Sequence, residues 1–442
     1  MPGVYMLYNS IGQFEYVKLP SFLNNNLILK ITSLNSLVVG TRLLISLLVQ
    51  NLLASYTGQA GIAKVGQIRN IFNILMSVSS LGVFNGVVKY VSEYKNNQEG
   101  LLKLFSTVFV LSSIATFTLS LFMFFGADIL SQWLFFTEAY SAVFKILAVA
   151  APFIAMNRIF NGVINGISAY KIHAKIEIIW YTLASLLLLV SLYYYNIEGV
   201  LLAIAVTPIV QFLVLIFIFG NTLKDYIIFK KLSFKTPLLK ALLGFALMSF
   251  VGTVFLNFIE IELRTLISDR VSENEAGVWT AMSSISKIYM QFLVLIFPIY
   301  ILPNYAKINS LAPFKKQVKK IFTSLLPLVF VGMLSVYLCK NQIIEIIYTD
   351  AFLSMIPLFK WQLLADFTKF LAVVLAYYFI SKNAFGYFIL TELFSLVLYF
   401  IFAKVFISDF GTEGVVIANL LRYFCYLIMV FIAIFHYFKF RK

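Results

Sequence analysis

The chain contains 442 residues, of which 61% are hydrophobic and 12% are charged, and its mean hydropathy is +0.92. That composition excludes an ordinary water-soluble domain, because most of these side chains require lipid as their solvent. The net charge of +15 comes from Lys and Arg dispersed among short joints, which excludes a basic nucleic-acid-binding domain and is typical of membrane topology.

Apolar segments of membrane-spanning length alternate with short polar joints along the chain. Since about 20 residues cross the hydrocarbon core of a bilayer, these segments predict an all-α membrane protein with twelve transmembrane helices. We place the helices at residues 27–56, 67–91, 103–126, 139–165, 172–195, 198–219, 237–262, 277–303, 318–339, 357–381, 384–407 and 412–438. Residues 1–26 lack the basic region and cleavage site of a signal peptide, and we expect a cytoplasmic or interfacial extension there.

The predicted helices form two halves. Six precede a polar joint and six follow it, which predicts an N-terminal six-helix bundle over 27–220, a cytoplasmic linker over 221–236 and a C-terminal six-helix bundle over 237–442. Glu177 and Glu392 recur early in the fifth and eleventh helices, which reflects either a duplication or chance similarity between apolar segments. Lys and Arg concentrate in alternate joints, so both termini are predicted to lie in the cytoplasm.

Arg42 lies at the middle of the first predicted helix. An arginine at a helix centre costs about 2.5–3.5 kcal/mol, so it normally faces a water-filled cavity or a partner. At about 100° per residue, Arg42 shares a face with Ser46 and Gln50, whereas Leu44 and Leu48 lie on another side. We therefore expect this helix to form one wall of a polar cavity, in which Arg42 meets an anionic group.

Polar residues on the second and fourth helices extend this predicted cavity. Asn85 and Lys89 share a face of the second helix, although Lys89 is near enough to the cytoplasmic end to snorkel to the interface. Asn157 begins a stripe of asparagines spaced four residues apart on the fourth helix, and Arg158 adjoins it. Such a stripe is poorly suited to lipid, so we expect either a cavity role or amides that tie helices together.

Charged residues return in the predicted second half. Lys287 interrupts the eighth helix, and Arg422 lies on the twelfth. Asp366 and Lys369 are three residues apart on the tenth helix, and we predict that they neutralise each other as a buried pair. An acid–base pair that rearranges is also suited to alternating access or proton coupling, which does not conflict with neutralisation at rest.

The sequence contains no recognisable catalytic chemistry. It has no phosphate-binding P-loop and no His or Cys spacing suited to a metal, and His173 and His436 are far apart. We therefore predict a transporter, not an enzyme, with no cofactor and no metal site. Two alternatives stay open. A multidrug or cation antiporter would favour intramembrane acids, and a membrane O-antigen polymerase or glycosyltransferase would need a long outward loop or acidic extramembrane motifs.

Four stretches, taken in order on the twelve-helix pattern, carry a resemblance to a known family. They are 52–63 (LLASYTGQAGIA), 81–94 (LGVFNGVVKYVSEY), 278–292 (VWTAMSSISKIYMQF) with YILP at 300–303, and 359–394 (from FKWQLLADFTKF to ISKNAFGYFILTELF). With these stretches the chain resembles Wzx-type polysaccharide flippases of the MOP exporter superfamily, the group of O-antigen and lipid III translocases. The resemblance covers residues 26–442.

The resemblance implies a MATE-like fold of two six-helix bundles around a central cavity. It implies that the protein moves an undecaprenyl-diphosphate-linked oligosaccharide from the cytoplasmic to the outer leaflet of the bacterial inner membrane by alternating access. The implied partners are this glycan lipid, the bilayer and other glycan assembly proteins, without nucleic acid. The positions that match the family's motifs are Arg42, Asn85, Lys89, Asp366, Lys369 and Glu392. Lys287 departs from the family, because the related lipid III flippase resembles this stretch except for an acidic residue there.

Residue chemistry and resemblance together give a candidate site. The predicted substrate-binding residues are Arg42, Asn85, Lys89, Asn157, Arg158, Lys287 and Arg422. The predicted coupling or gating residues are Asp366, Lys369, Glu392 and Glu177. A lipid-linked diphosphate needs such basic groups because its anionic head is too polar to cross hydrocarbon, whereas its prenyl tail need not leave it.

Overall fold

The computed structural model describes residues 26–294, 297–382 and 384–440. These residues are almost entirely helical, which confirms the prediction of an all-α protein. The α-helices are α1 (Asn26–Ser79), α2 (Phe84–Tyr94), α3 (Gln98–Phe125), α4 (Ala127–Phe135), α5 (Ser141–Gly166), α6 (Tyr170–Tyr226), α7 (Leu239–Ser249), α8 (Leu256–Arg270), α9 (Glu273–Val294), α10 (Leu302–Ala306), α11 (Leu311–Leu338), α12 (Lys340–Ile347), α13 (Leu358–Ser381) and α14 (Phe385–Phe440). Between them lie the 3-10 helices Phe229–Lys231 and Asp350–Met355 and the π-helical turns Phe250–Phe255 and Phe297–Ile301. Residues 1–25 of the predicted N-terminal extension lie outside the described residues.

Three of these helices are too long to be single membrane spans. A continuous helix with the 57 residues of α6 would measure about 85 Å, against about 30 Å for the hydrocarbon core of a bilayer. Each long helix contains one residue with positive φ: Gly58 in α1 (64°), Asn196 in α6 (51°) and Gly411 in α14 (54°). Glycine has no Cβ to oppose that conformation, and asparagine tolerates it better than most residues. All three breaks fall in joints that the sequence predicts, so each long helix is two segments.

Six described helices are long and apolar enough to cross a membrane. The part of α1 that begins at Gly40 passes the same test together with α2, across a bend of 43°. A break divides each of α1, α6 and α14 into two helical segments. The chain is therefore a multi-pass membrane protein, and its spans are consistent with the predicted twelve-helix pattern.

The structure departs from the predicted helices in several places. The predicted second helix is broken between Ser79 and Phe84, and the predicted eighth helix is interrupted by the π-helical turn Phe297–Ile301. The short helices α4 and α12 occupy segments that the sequence assigns to joints, and each buries an apolar side chain such as Leu134 or Ile344. These helices have eight or nine residues, too few for a membrane span, so hydropathy alone does not reveal them. The predicted seventh helix is interrupted by the π-helical turn Phe250–Phe255 and continues to Arg270.

The chain divides into two compact units. The first unit contains the residues up to Val49 together with Ile71–Val254, and the second contains Gln50–Asn70 together with Phe255–Lys442. This division differs from the predicted boundary at the linker. Gln50–Asn70 groups with the second unit, and residues 237–254 group with the first.

Local packing explains why residues 237–254 belong to the first unit. Leu242 is fully buried in the core of this unit, and the Leu238 amide donates to Thr107 Oγ1 at 3.3 Å. The preceding linker is also anchored, since the Ser233 amide donates to Ser106 Oγ at 3.0 Å. The same core contains Val87, Val91, Leu104, Phe105, Val108, Phe160, Val163, Ile164, Leu215 and Phe219.

Contacts within the second unit explain the assignment of Gln50–Asn70. Asn51 Nδ2 donates to the carbonyl oxygen of Tyr348 at 3.0 Å. Gly277 packs so closely against this segment that a Cβ atom there would lie 1.9 Å from the carbonyl oxygen of Gln59. A glycine is therefore required at this approach, which fixes the segment to the N-terminal part of α9.

Candidate functional site

Arg42 on α1 forms an ion pair with Glu177 on α6 in the first unit. The Arg42 Nη1 atom lies 2.7 Å from Glu177 Oε2. Trp180 Nε1 donates to the other carboxylate oxygen at 3.1 Å, and Arg42 Cζ lies 4.9 Å from the centre of the Tyr181 ring. The side chain of Arg42 is 42% exposed, whereas that of Glu177 is only 9% exposed. The protein therefore fixes the carboxylate and leaves part of the guanidinium open.

The two faces of α1 differ as the sequence predicts. Leu44 is 64% exposed and Leu48 is 67% exposed, whereas Gln50 is buried. Exposed leucines on a membrane helix face acyl chains, so the polar face that contains Arg42 is turned away from them. Gln50 is already bonded, because its Nε2 atom donates to Tyr348 OH at 3.3 Å.

Arg158 on α5 is half-buried without a carboxylate partner. Among the residues that the structure describes, no carboxylate oxygen lies within 4 Å of it, and its Cζ atom lies 4.0 Å from the centre of the Phe84 ring. Asn157 Nδ2 donates to the carbonyl oxygen of Pro208 at 2.8 Å, so this amide ties α5 to α6. The Oδ1 atoms of Asn157 and Asn161 are buried and accept no hydrogen bond from the residues that the structure describes. The same helix therefore carries two unused hydrogen-bond acceptors and the cation of Arg158.

Asn85 and Lys89 lie on an exposed face of α2. Lys89 Nζ is 3.8 Å from Glu93 Oε1 one turn later and 5.1 Å from the centre of the Tyr90 ring. An exposed pair with this spacing contributes little to stability, about 0.3–0.5 kcal/mol. The structure therefore leaves both side chains accessible to a ligand.

Lys287 on α9 is neutralised by Glu260 on α8 in the second unit. Its Nζ atom lies 2.7 Å from Glu260 Oε2, which also accepts from Asn70 Nδ2 at 3.1 Å. The side chain of Glu260 is 12% exposed and that of Lys287 is 58% exposed. The pair thus holds a charged lysine near a surface and a carboxylate inside the unit.

Asp366 on α13 is buried, and no ion pair within 4 Å joins it to Lys369 in the described part of the chain, so the two residues do not form a close pair and their mutual neutralisation stays a prediction. Asp366 Oδ2 accepts from Ser286 Oγ at 2.6 Å, from Gln362 Nε2 at 3.1 Å and from the Tyr289 hydroxyl. These donors come from α9 and α13. Asp366 Oδ1 is buried without a hydrogen-bond partner.

Arg422 on α14 is a buried cation with several partners. Its side chain is 3% exposed, and its Nη2 atom lies 3.8 Å from Glu392 Oε1. Its Nε atom donates to Ser395 Oγ at 3.0 Å, and its Cζ atom lies 5.0 Å from the centre of the Tyr399 ring. The guanidinium is therefore held by an ion pair, a hydrogen bond and an aromatic ring.

Lys369 belongs to the same cluster. Its Nζ atom lies 5.5 Å from the centre of the Tyr423 ring, and Arg422 Cζ lies 4.5 Å from that centre. Two cations share one ring, which partly offsets their mutual repulsion. Within the described residues, no group of three or more His, Cys, Asp or Glu side chains is arranged to hold a metal ion.

Comparison of the sequence with known proteins identifies its family. The sequence matches the family described as "Polysaccharide biosynthesis protein" over residues 64–357, more than half of the chain. The chain belongs to this family. Two relatives of this polysaccharide biosynthesis protein are named lipid III flippase, one from Escherichia coli (strain K12) and one from Shigella flexneri. Each is 28% identical over 383 residues, which is 86% of this chain and 91% of the relative. The resemblance to polysaccharide flippases is confirmed.

Solved transporters share the fold of this polysaccharide biosynthesis protein. A multidrug resistance MATE family transporter of the MOP superfamily in an inward-facing conformation has a TM-score of 0.73 at 16% identity, over 91% of this chain and 96% of that chain. An outward-facing MATE family transporter has a TM-score of 0.64 at 16% identity, over 93% and 97% of the two chains. The MATE-like fold is therefore confirmed.

Two charged residues of this polysaccharide biosynthesis protein were missed by sequence reasoning. Glu260 holds Lys287, and Arg264 is buried with Nη1 2.8 Å from Gln67 Oε1 and Nε 2.7 Å from Thr280 Oγ1. Both lie near the end of the predicted seventh helix, where charges are normally interfacial. A predicted helix that continued to residue 270 would have placed both residues inside a helix and not at its end.

Proposed function

We propose that this protein is a flippase that moves a lipid-linked oligosaccharide across the membrane by alternating access. Its relatives named lipid III flippase and its MATE-like fold support this proposal. The substrate is an undecaprenyl-diphosphate-linked oligosaccharide of the O-antigen or lipid III type. The protein moves it from the cytoplasmic to the outer leaflet of the bacterial inner membrane, with both termini in the cytoplasm and other glycan assembly proteins as partners.

The observation that carries this proposal is the half-exposed guanidinium of Arg42 within an apolar helix. A prenyl diphosphate has an anionic head that hydrocarbon does not solvate, so its passage needs a fixed cation. A guanidinium presents several donors in one plane and suits phosphate oxygens better than an ammonium does. Glu177 and Tyr181 hold one part of this group and leave the rest for the diphosphate.

The balance of charge favours an anionic cargo over a cationic one. The carboxylates of Glu177, Glu260 and Glu392 each lie within 4 Å of an Arg or Lys side chain. They are therefore occupied and poorly placed to bind a cationic drug. Arg158 has no carboxylate at that distance within the described part of the chain, so it adds uncompensated positive charge.

The contacts divide the proposed site residues into two groups. In the first unit, the accessible or half-buried cations Arg42, Lys89 and Arg158, with Asn85, are proposed to bind the headgroup. Lys287, in the second unit, stays a predicted substrate-binding residue. The free oxygens of Asn157 and Asn161 are proposed to accept hydrogen bonds from sugar hydroxyls. The buried cluster of Arg422, Lys369 and Glu392, together with Asp366 and Glu177, is proposed for coupling or gating.

A multidrug or cation antiporter is the second candidate. One observation favours it, namely the buried Oδ1 atom of Asp366, which has no hydrogen-bond partner and would accept a proton or a cation. Drug efflux from cells that express the protein would distinguish the two functions. A flippase without drug transport activity leaves the drug resistance of its host unchanged.

Deletion of the gene in its native host tests the proposed function. We expect lipid-linked glycan to accumulate facing the cytoplasm, detected as glycan that an impermeant label reaches only after the membrane is opened. Complementation with Arg42→Ala should fail, Arg42→Lys should restore part of the surface glycan, and the lipid-facing control Leu44→Ala should restore all of it. Deletion without accumulation would refute the function, and normal glycan with Arg42→Ala at equal expression would remove Arg42 from the mechanism.

A further inference from the structure

Helices α11, α13 and α14 form an apolar groove in the second unit, which we call the α11 groove. Its volume is about 330 Å³. Its apolar walls include Val318, Phe322, Leu375, Phe431, Ile434 and Phe435. Phe431 is 54% exposed, so the groove opens on the surface of the unit. Exposed apolar side chains continue along α11 at Leu328 and Phe330, which indicates that this surface faces acyl chains.

One end of the α11 groove is strongly basic. The first three turns of α11 contain Lys315, Lys316, Lys319 and Lys320. All four are exposed, and none has a carboxylate oxygen within 4 Å among the residues that the structure describes. Residues 307–323 contain no Asp or Glu. This end of the groove therefore carries uncompensated positive charge.

A second pocket of about 600 Å³, lined by Lys316, Lys319 and Lys320, adjoins the groove at its basic end. Lys319 and Thr323 line both the groove and the pocket, so one ligand with an apolar chain and a polar head would fit across the two. Gln317 lines the pocket, and its Nε2 atom is buried and has no hydrogen-bond partner in the described part of the chain. Lys315 Nζ lies 5.4 Å from the centre of the Phe435 ring, which holds the lysine stem at the edge of the groove.

We propose that the α11 groove binds an anionic phospholipid of the surrounding bilayer. The lipid phosphate lies among the lysines and the Gln317 amide, and one acyl chain lies against the apolar walls. Basic clusters beside a transmembrane helix attract anionic headgroups, and these lysines lie at the start of an apolar helix, the depth of bilayer phosphates. A resident lipid therefore reaches the site without leaving its leaflet. This binding does not depend on which cargo the protein transports.

The charge of the pocket provides the first test. Purified full-length protein is titrated with phosphatidylglycerol or phosphatidylcholine, and bound lipid is counted by native mass spectrometry. Changing Lys316, Lys319 and Lys320 together to Gln should weaken phosphatidylglycerol binding by at least about tenfold, with little effect on phosphatidylcholine. Equal affinity of the unchanged protein for the two lipids would overturn the proposal.

A matched variant controls for the loss of positive charge. Lys224, Lys230 and Lys231 are also exposed and lie in the first unit, so changing them together to Gln removes the same charge elsewhere. This control should bind phosphatidylglycerol within about twofold of the unchanged protein, because these three lysines line neither the groove nor the adjoining pocket. An equal loss in both variants would assign the effect to net charge and overturn the site.

The apolar part of the groove provides an independent test. Thr323 is exposed and lines the groove, so the indole of Thr323→Trp should fill it. Ser324 is also exposed but does not line the groove, so Ser324→Trp is the control. Only Thr323→Trp should reduce phosphatidylglycerol binding. Farnesyl diphosphate binding should be unchanged in every groove variant. Loss of farnesyl diphosphate binding with retention of phosphatidylglycerol would assign the groove to the prenyl carrier and overturn the proposal.

Discussion

In the proposed function Glu177 competes with the diphosphate for Arg42, so its replacement by Gln should strengthen diphosphate binding. The substitution removes the carboxylate charge 2.7 Å from the guanidinium but keeps an oxygen that accepts from Trp180. A hydrogen bond to a charged group contributes about 1.5–3 kcal/mol. The Arg42 side chain is 42% exposed, and water screens exposed charges, so the contribution of this pair lies at the low end of that energy range. We expect a gain of about 1.4 kcal/mol, which is a dissociation constant about tenfold lower.

Isothermal titration of the purified protein with farnesyl diphosphate measures this change. Glu99→Gln is the matched control, because Glu99 forms an exposed ion pair at 2.6 Å with Lys103, which is not a proposed headgroup residue, and it should alter the dissociation constant little. The double variant Arg42→Leu, Glu177→Gln should lose the gain, since the cation that the diphosphate contacts is absent. Unchanged affinity in Glu177→Gln, or a gain that survives in the double variant, would refute the assignment of Arg42 to the headgroup.

Three other substitutions test the second unit and its network. Gly277→Ala should destabilise the protein by about 3 kcal/mol, because its Cβ would meet the backbone of Gln59, whereas Gly244→Ala, with no atom within 4 Å of its Cβ, should not. Thermal unfolding of the two variants side by side measures this difference, and equal melting temperatures would contradict the close packing. Arg422→Lys should lower the free energy of unfolding by about 1–3 kcal/mol, because an ammonium lacks the flat surface and the fixed donors of the guanidinium. An unchanged melting temperature would contradict a stabilising role for the contacts of Arg422. Asp366→Asn should leave diphosphate binding within about twofold, because three donors still find an acceptor, but should abolish flipping in proteoliposomes if the carboxylate couples transport. Full flipping activity in this variant would remove Asp366 from coupling.

Features that depend on one helix at a time could be predicted from the sequence. The three breaks at Gly58, Asn196 and Gly411 fall where the apolar segments end. Both hydropathy and turn-forming residues are local properties of the sequence, so they mark the same positions. The faces of α1 also follow from helical periodicity, which places Leu44 and Leu48 toward lipid. Lipid makes these signals strong, since every polar residue on an exposed face is costly.

Features that depend on which helices touch could not be predicted. Asp366 and Lys369 have the spacing of an ion pair along one helix, but the carboxylate of Asp366 accepts hydrogen bonds from residues of α9. Glu260 is the partner of Lys287, although the two residues lie on different helices and no spacing rule joins them. Charge partners are chosen by tertiary packing, so a single sequence gives the charges without their pairing.

Arg42 and Arg422 differ in how tightly they are held, and this difference has an electrostatic consequence. Arg422 is packed against two aromatic rings and bonded to Ser395 and Glu392, so its guanidinium has no room to swing. Its charge acts as part of a rigid scaffold whose field is already in place when a ligand approaches, at no cost of reorganisation. Arg42 is restrained mainly by one carboxylate and is free to exchange that anion for another.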